Sequence, residues 1–271
     1  MRNSYDINLY CIYNISVYSP SITSMNDLLQ IIPPYLRSAD FYDELMEDID
    51  YEGWAEYLLD LASELHISTD RIIDFSCGTG TLLNHLSKNS ISVRGLDISV
   101  EMIRQARIKY PEHEWFVQDM LTASMPPEFT LGINVHDSLN YISHTDILKN
   151  YIQRMQKGRK KGQSLIFDFA LPELIRNYFV EQTETKKMTN GDILYRWHEF
   201  DEKKNICRTF LEITHDKQTV TEIHIQHIWT FEEIKNLFLV LPGENLLFLE
   251  EFSYDAASEG SERLLIVIHD D

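Results

Sequence analysis

Arg71-Ile72-Ile73-Asp74-Phe75-Ser76-Cys77-Gly78-Thr79-Gly80-Thr81-Leu82-Leu83 is the stretch whose reading decides the fold. Ile72 and Ile73 form a short apolar run that reads as a buried strand, with the acid Asp74 near its end. A small-residue loop with Gly78 and Gly80 follows. Leu82, Leu83 and Leu86 then recur at helical spacing. Such a strand–loop–helix unit lets backbone approach a ligand and presents free N–H groups at a helix start. An acid before the glycines would repel a pyrophosphate and suits a ligand carrying a cationic amino group. The third glycine of a dinucleotide fingerprint is missing, because that position is Leu83. No P-loop G-x-x-x-x-G-K-[ST] is present either.

Outward from this unit, strands and helices alternate. Ile91 to Leu96 reads as a second strand ending in Asp97, and Met102, Ile103 and Ala106 mark the helix after it. Asp97 lies 17 residues beyond Gly80, near the ~20 expected of an acid that takes ribose hydroxyls. Glu114 to Val117 reads as a third strand, ending in Gln118-Asp119-Met120. Thr130 to Val135 reads as a fourth, ending in His136-Asp137-Ser138-Leu139-Asn140-Tyr141. A helix over Ile147–Met155 leads to a fifth strand, Ser164 to Phe169. The alternation predicts a Rossmann-like, doubly wound, mostly parallel seven-stranded sheet. Acids stand at four successive strand ends, Asp74, Asp97, Asp119 and Asp137, where ligands of such sheets bind.

Upstream, Met25 to Leu36 reads as a short helix broken by Pro33-Pro34. Trp54, Tyr57, Leu58, Leu61 and Leu65 predict a helix leading into the decisive stretch. From Asp192 to Trp229 the period changes to two, which predicts an inserted small antiparallel sheet. Thr230-Phe231-Glu232-Glu233 reads as a capping box opening the last helix, which Pro242-Gly243 ends. Leu246–Phe252 and Arg263–Ile268 read as a closing hairpin. The expected organisation is an extension over residues 1–24, a Rossmann-like domain over 25–185 and 230–271, and a β insertion over 186–229 on the acceptor side.

The 271 residues and 31.9 kDa suffice for one sizeable core. A hydrophobic fraction of 44% with 25% charged residues fits a soluble globular chain. No apolar run approaches the ~20 residues that span a bilayer, and no signal peptide is evident, so no membrane partner is expected. Three cysteines, Cys11, Cys77 and Cys207, are too few and scattered for a disulfide framework or a zinc site. No metal is expected, and a cytoplasmic location is. The net charge of −19 disfavours nucleic acid as a partner, because phosphate backbones would be repelled.

The decisive stretch resembles motif I, D-x-G-x-G-x-G, of the class I S-adenosylmethionine-dependent methyltransferases, with Ser76 at the first glycine position. The chain is similar over roughly residues 40–271 to bacterial members acting on small molecules, including amino-sugar N-methyltransferases. Tyr42-Asp43, Tyr51-x-x-Trp54, Asp137-Ser138-Leu139-Asn140-Tyr141 and His224-Ile225-Gln226 carry that likeness. It implies S-adenosyl-L-methionine as donor and S-adenosyl-L-homocysteine as product. It places Asp74, Ser76, Cys77, Gly78 and Gly80 around the methionine moiety, with Asp74 near its ammonium. Asp97 would accept from both ribose hydroxyls, and Ile98 would pack on adenine. Asp119 would take the adenine amino group, with Gln118, Met120 and Met102 nearby. His136 and Asp137 would sit near the sulfonium, and Tyr42 and Trp54 would form a lid.

Asn140, Tyr141, Trp197, His224 and Gln226 are the expected acceptor-side residues. His136, His224 and His227 are the candidate bases, the first two being favoured. In the third insertion strand His224 and Gln226 share one face, and Ile223 and Ile225 the other. If the isoleucines pack on the body, the polar pair faces solvent or a cleft, with Trp197 walling it. The expected activity is methyl transfer to a small-molecule acceptor by a monomer or homodimer. The alternatives are a non-catalytic binder of S-adenosylmethionine and a protein or RNA methyltransferase.

Overall fold

The computed structural model describes residues 30–88, 91–126, 128–239 and 245–270. The extension expected over 1–24 and the stop at Pro242-Gly243 lie outside the described residues. In chain order the strands are β1 (Ile31–Ile32), β2 (Arg71–Asp74), β3 (Ser92–Asp97), β4 (Glu114–Val117), β5 (Leu131–Asn134), β6 (Ser164–Ala170), β7 (Thr183–Lys187), β8 (Ile193–Asp201), β9 (Ile206–His215), β10 (Gln218–His227), β11 (Asn245–Glu250) and β12 (Arg263–His269). The α-helices are α1 (Tyr42–Leu45), α2 (Tyr51–Glu64), α3 (Thr81–Leu86), α4 (Val100–Lys109), α5 (Thr145–Gly158), α6 (Pro172–Tyr178) and α7 (Phe231–Leu239).

Seven strands form the central sheet in the order β11-β12-β6-β5-β2-β3-β4. The pairs from β6 to β4 are parallel, and the β11–β12 hairpin adds on antiparallel to β6. Strands at the middle of such a sheet are covered on both faces, so they read as continuous apolar runs rather than alternating ones. β5 and β6 are accordingly buried along their whole length. On one face α2, α3 and α4 pack Leu58, Leu61, Leu83 and Ile103 against Ile72, Leu131 and Ile166. On the other, α5 and α7 pack Leu148, Ile152, Ile234 and Phe238 against Phe75, Leu165 and Phe167.

Local rules set the helix starts. Asp50 caps α2 by accepting from Gly53 N at 2.9 Å, and Ser99 caps α4 by accepting from Met102 N at 3.2 Å. Thr230 and Glu233 exchange reciprocal bonds, Thr230 N to Glu233 Oε2 at 2.9 Å and Glu233 N to Thr230 Oγ1 at 3.3 Å.

A second sheet has the order β1-β10-β9-β8-β7. It recruits Thr183–Lys187 and also Ile31–Ile32, which pair parallel with Thr221 and Glu222 of β10. Ile31–Ile32 are therefore a strand, not part of a helix. Pro33 disfavours the helical region for the residue before it, and β-branched isoleucine suits a pleated edge.

The isoleucine pair Ile223 and Ile225 is not on the face of this sheet that packs on the body. Leu194, Leu211 and Ile213 pack on Phe41 and Leu45 beside the main body, and Glu222, His224 and Gln226 share that inward face. Ile223 and Ile225 lie on the outer face with Ile31, Trp197 and Phe210.

Candidate functional site

The site lies at the carboxyl ends of β2, β3, β4 and β5. Gly78 and Gly80 adopt φ of +53° and +81°. These left-handed values close the turn between β2 and α3 at no steric cost to glycine. Asp74 is 3% exposed and accepts from Ser76 N at 2.9 Å. Burial pushes its carboxyl up to about 7, against the opposing Ser76 N–H. The Ser76 hydroxyl donates to Ser138 Oγ at 2.8 Å and accepts from Asn134 Nδ2 at 2.8 Å. The residue that departs from the motif is thus tied back to the end of β5. Cys77 sits inside the loop, and burial raises its thiol well above the usual range. It is not poised as a nucleophile.

Asp97 ends β3 with one oxygen on Ser99 N at 2.8 Å and the other on Gly78 N at 3.0 Å. Each carboxylate oxygen keeps a second lone pair for a diol. Ile98, next to it, is 56% exposed, an apolar surface at the site's edge. Asp119 turns the chain after β4 by accepting from Leu121 N at 2.8 Å, and the side chain of Gln118 is exposed. The sulfur of Met120 accepts from Asn134 Nδ2 at 3.5 Å. Met102 is buried, 2% exposed, on α4. Two acids, an exposed isoleucine and an open glycine turn, where a Cβ on Gly78 would meet nothing within 4 Å, fit an adenosyl amino-acid ligand.

After β5 the backbone is strained. His136 and Asp137 adopt φ of +56° and +48°, values that non-glycine residues rarely take. Buried polar contacts hold them there. Asp137 N donates to Asp168 Oδ1 at 2.6 Å. Asp137 Oδ1 accepts from Arg263 at 2.7 and 3.0 Å, and its Oδ2 accepts from Gln226 Nε2 at 2.7 Å. Arg263 also reaches Asp168 at 3.1 Å and Glu251 at 3.0 Å. His136 packs between Tyr51 and Trp54, with ring centroids 5.1 and 4.7 Å away. Burial, helped by Arg263, lowers it to about 4, so it is a neutral imidazole at physiological pH.

The segment from Tyr35 to Trp54 covers the site. Asp43 latches it to the loop by accepting from Thr79 Oγ1 at 2.6 Å, Thr81 Oγ1 at 3.0 Å and Lys109 Nζ at 2.5 Å. Tyr42 meets Tyr35 edge-on at 5.9 Å. Trp54 is 4% exposed and packs on His136 and Phe252. It is wall rather than lid. Tyr141 meets His224 and Tyr35 through its hydroxyl.

Three expected residues are elsewhere. Trp197 stacks on Phe210 at 4.7 Å on the outer face of the second sheet, because it is one residue out of phase with His198, the residue aligned with His224. His227 is on that outer side too, against Trp229. Asn140 is fully buried. Its amide bonds Ala170 O at 3.1 Å, Ala170 N at 3.0 Å and His227 O at 2.9 Å, so it joins β6 to β10 rather than facing a ligand.

Tyr35, Asp43, Asp168, Glu222, Glu251 and Arg263 belong to the site without having been named for it. Asp168 and Arg263 carried a signal: each is a charge in or beside an apolar run that the fold buries.

The buried acids predict a pH dependence of stability. Burial pushes Glu251 up to about 7 and Asp168 up to about 6, with Arg263 opposing in both. The unfolded chain ionises these groups near 4. Between pH 8 and 6.5 the folded form takes up more protons, chiefly at Asp74 and Glu251, than the unfolded imidazoles do, so acidification stabilises it. Below about 6.5 the order reverses, because burial lowers His136 and His198 to about 4 while their unfolded imidazoles protonate. Melting temperature should therefore rise from pH 8 to 6.5 and then fall. Glu251→Gln should flatten the upper limb. A melting temperature climbing steadily to pH 8 would contradict this assignment.

A mostly parallel sheet with acids at consecutive strand ends and a glycine turn after its first parallel strand defines a Rossmann-like nucleotide-binding fold. A methyltransferase-domain family model matches residues 72–162. The chain is 30% identical, over 188 residues, to the dTDP-3-amino-3,4,6-trideoxy-alpha-D-glucopyranose N,N-dimethyltransferase of Streptomyces venezuelae, covering 69% of this chain and 74% of that enzyme. It therefore belongs to the S-adenosylmethionine-dependent methyltransferases. Among solved structures, such an enzyme from Clostridium acetobutylicum aligns with a TM-score of 0.71 at 22% identity, over 87% of this chain and 98% of that one. An S-adenosylmethionine-bound amino pentose methyltransferase from Micromonospora echinaspora aligns with a TM-score of 0.65 at 16% identity, over 84% and 95%.

Proposed function

We propose that the protein methylates a nitrogen of a small amine-bearing molecule. The carrying observation is the acidic lining opposite the cofactor loop. Asp137, Asp168 and Glu251 share a single Arg263, an excess of acid over base that favours a cationic or amine-bearing acceptor. The amino-sugar substrate named for the Streptomyces venezuelae relative supports the same class. The acidic chain as a whole supports a small molecule over nucleic acid, and the free thiols Cys77 and Cys207 suit a reducing cytoplasm.

In this reading the seven-stranded sheet with its helices is the donor-binding domain, and the second sheet, which adds Ile31–Ile32 and Thr183–Lys187 to the expected insertion over 186–229, is the acceptor side. S-adenosylmethionine supplies an electrophilic methyl whose leaving group needs no acid. Asp97 would hold the ribose, Asp74 would take the ammonium, and Asp119 would orient the adenine. His136 and Asp137 would lie beside the sulfonium. The Tyr35–Trp54 segment excludes water. Alignment of acceptor and methyl alone supplies ~7–11 kcal/mol.

Calorimetry with S-adenosylhomocysteine is the first test, with NAD as the control. Binding of NAD but not of S-adenosylhomocysteine would sink the reading. A homocysteine-release screen should then respond to amines and not to matched alcohols. Asp97→Ala should lose at least about tenfold in S-adenosylhomocysteine affinity. Charge-assisted bonds to two hydroxyls are worth roughly 1.5–3 kcal/mol. Unchanged affinity with a collapsed melting temperature would make Asp97 purely structural.

A further inference from the structure

Four side chains line up where the covering segment meets the second sheet, two links being hydrogen bonds and the last an ion-pair contact. Tyr35 Oη lies 2.6 Å from Tyr141 Oη. Tyr141 Oη lies 2.9 Å from His224 Nδ1. His224 Nε2 lies 3.4 Å from Glu222 Oε2. His224 is 5% exposed and Glu222 fully buried.

The direction of the line follows from Glu222. Its carboxylate accepts from Tyr35 N at 3.0 Å, Arg37 N at 2.6 Å, and Ser38 N and Oγ at 2.9 and 2.6 Å. Burial opposes its charge, but His224 and Ser38 outweigh burial and hold it below the usual carboxylate range. An ionised carboxylate only accepts. The facing Nε2 lies 3.4 Å from that carboxylate and makes no hydrogen bond of good geometry among the described residues, so the ion-pair contact with Glu222 is what favours the ring proton on Nε2. A neutral imidazole protonated on Nε2 has a bare Nδ1. Nδ1 accepts from Tyr141, and the Tyr141 oxygen accepts from Tyr35. Tyr35 is left with a free lone pair at the other end of the line, its ring edge-on to Tyr42 and its hydroxyl within electrostatic reach of Asp97 and Asp137.

We propose that Glu222 and His224 polarise this line so that Tyr35 receives the proton an amine acceptor releases on methylation. The inference rests on the methyl-transfer reading above and narrows its acceptor to primary or secondary amines. The nitrogen lone pair forms the N–C bond while the C–S bond breaks, its electron pair passing to sulfur to give a neutral thioether. The resulting ammonium gives an N–H proton to the Tyr35 oxygen. Tyr35 passes its own proton to Tyr141, and Tyr141 passes its own to His224 Nδ1. The imidazolium then faces Glu222. Both tyrosines end as neutral as they began. That suits their setting, since burial pushes both hydroxyls well above the ordinary range. Glu222 is a positioning residue in this scheme, because it acts through His224.

Long-range ¹H–¹⁵N spectra of the full chain with labelled histidine test the direction. The His224 signals are assigned by their loss in His224→Gln. The expected result is a proton on Nε2, an Nδ1 resonance that moves in Tyr141→Phe, and an Nε2 resonance that moves in Glu222→Gln. A proton on Nδ1, or an Nδ1 resonance indifferent to Tyr141→Phe, would overturn the proposal. Should Tyr141→Phe not fold, the wild-type tautomer still decides. With an amine found by homocysteine release, His224→Gln should lower kcat at least about 10²-fold and leave S-adenosylhomocysteine affinity within about twofold. An unchanged kcat would overturn the relay as well. S-adenosylhomocysteine calorimetry on the same samples separates the two ideas. Cofactor binding with the wrong tautomer removes only the relay, and the right tautomer without cofactor binding removes the methyl-transfer reading.

Discussion

Arg263→Met should cost about 3–5 kcal/mol of folding stability at pH 8, the penalty for breaking a buried ion pair from one side. The side chain of Arg263 is 10% exposed and lies between Asp137, Asp168 and Glu251, which it contacts at 2.7, 3.1 and 3.0 Å. Methionine replaces the aliphatic stem but leaves three carboxylates facing one another. Asp168 would then lose the cation that opposes its desolvation, and it also anchors the strained backbone at Asp137. The left-handed turn at His136 and Asp137 should loosen, and with it the wall beside Trp54. Urea unfolding at pH 8 and pH 6 checks this. The loss should shrink at pH 6, where Glu251 and Asp168 escape repulsion by protonating. Arg263→Lys should be intermediate, since an ammonium cannot serve three carboxylates with a planar fork. A loss under about 1 kcal/mol would mean that water already screens the cluster.

Gly80→Ala should damage the cofactor loop far more than Gly78→Ala. At Gly80 a Cβ would stand 2.5 Å from Trp115 Cη2 and 3.0 Å from two further ring carbons. The ring has no room to swing, being 5% exposed and tied through Nε1 to Tyr110 O at 2.8 Å. The left-handed backbone adds roughly 1–2 kcal/mol for any L-residue, and overpacking typically adds about 1–3 kcal/mol. At Gly78 only the backbone term applies, because the space beside it is open. S-adenosylhomocysteine affinity and melting temperature should both fall in Gly80→Ala. Equal effects at the two glycines would show that Trp115 gives way.

Much of the donor side was legible because its signals are local. Ile72 and Ile73, the acid after them, and the glycines before Leu82 are neighbours in the chain. Their order reflects the steric rules of a strand, a turn and a helix start. Asp97 stood out because it ends an apolar strand at a fixed interval from the loop. The acceptor side was not legible in the same way. Alternation showed that His224 and Gln226 share a face, but period two is symmetric and does not say which face meets the body. The same ambiguity put Trp197 in the pocket, when its place one residue out of phase sends it outward onto Phe210. Asn140 was read as a ligand contact because it sits in a motif. Its burial shows that its amide is used to bridge two strands.

By itself the sequence determined the parallel sheet, the glycine turn and the acids at the strand ends, because hydrophobic period, capping and left-handed turns are interactions between near neighbours. Only the tertiary structure decided which charges meet. Arg263 reaches Asp137 across 126 positions, and Glu222 reaches Ser38 across 184. No local rule links such pairs. The cost of burying an unpaired charge selects them, and that cost exists only once the sheets have closed around them.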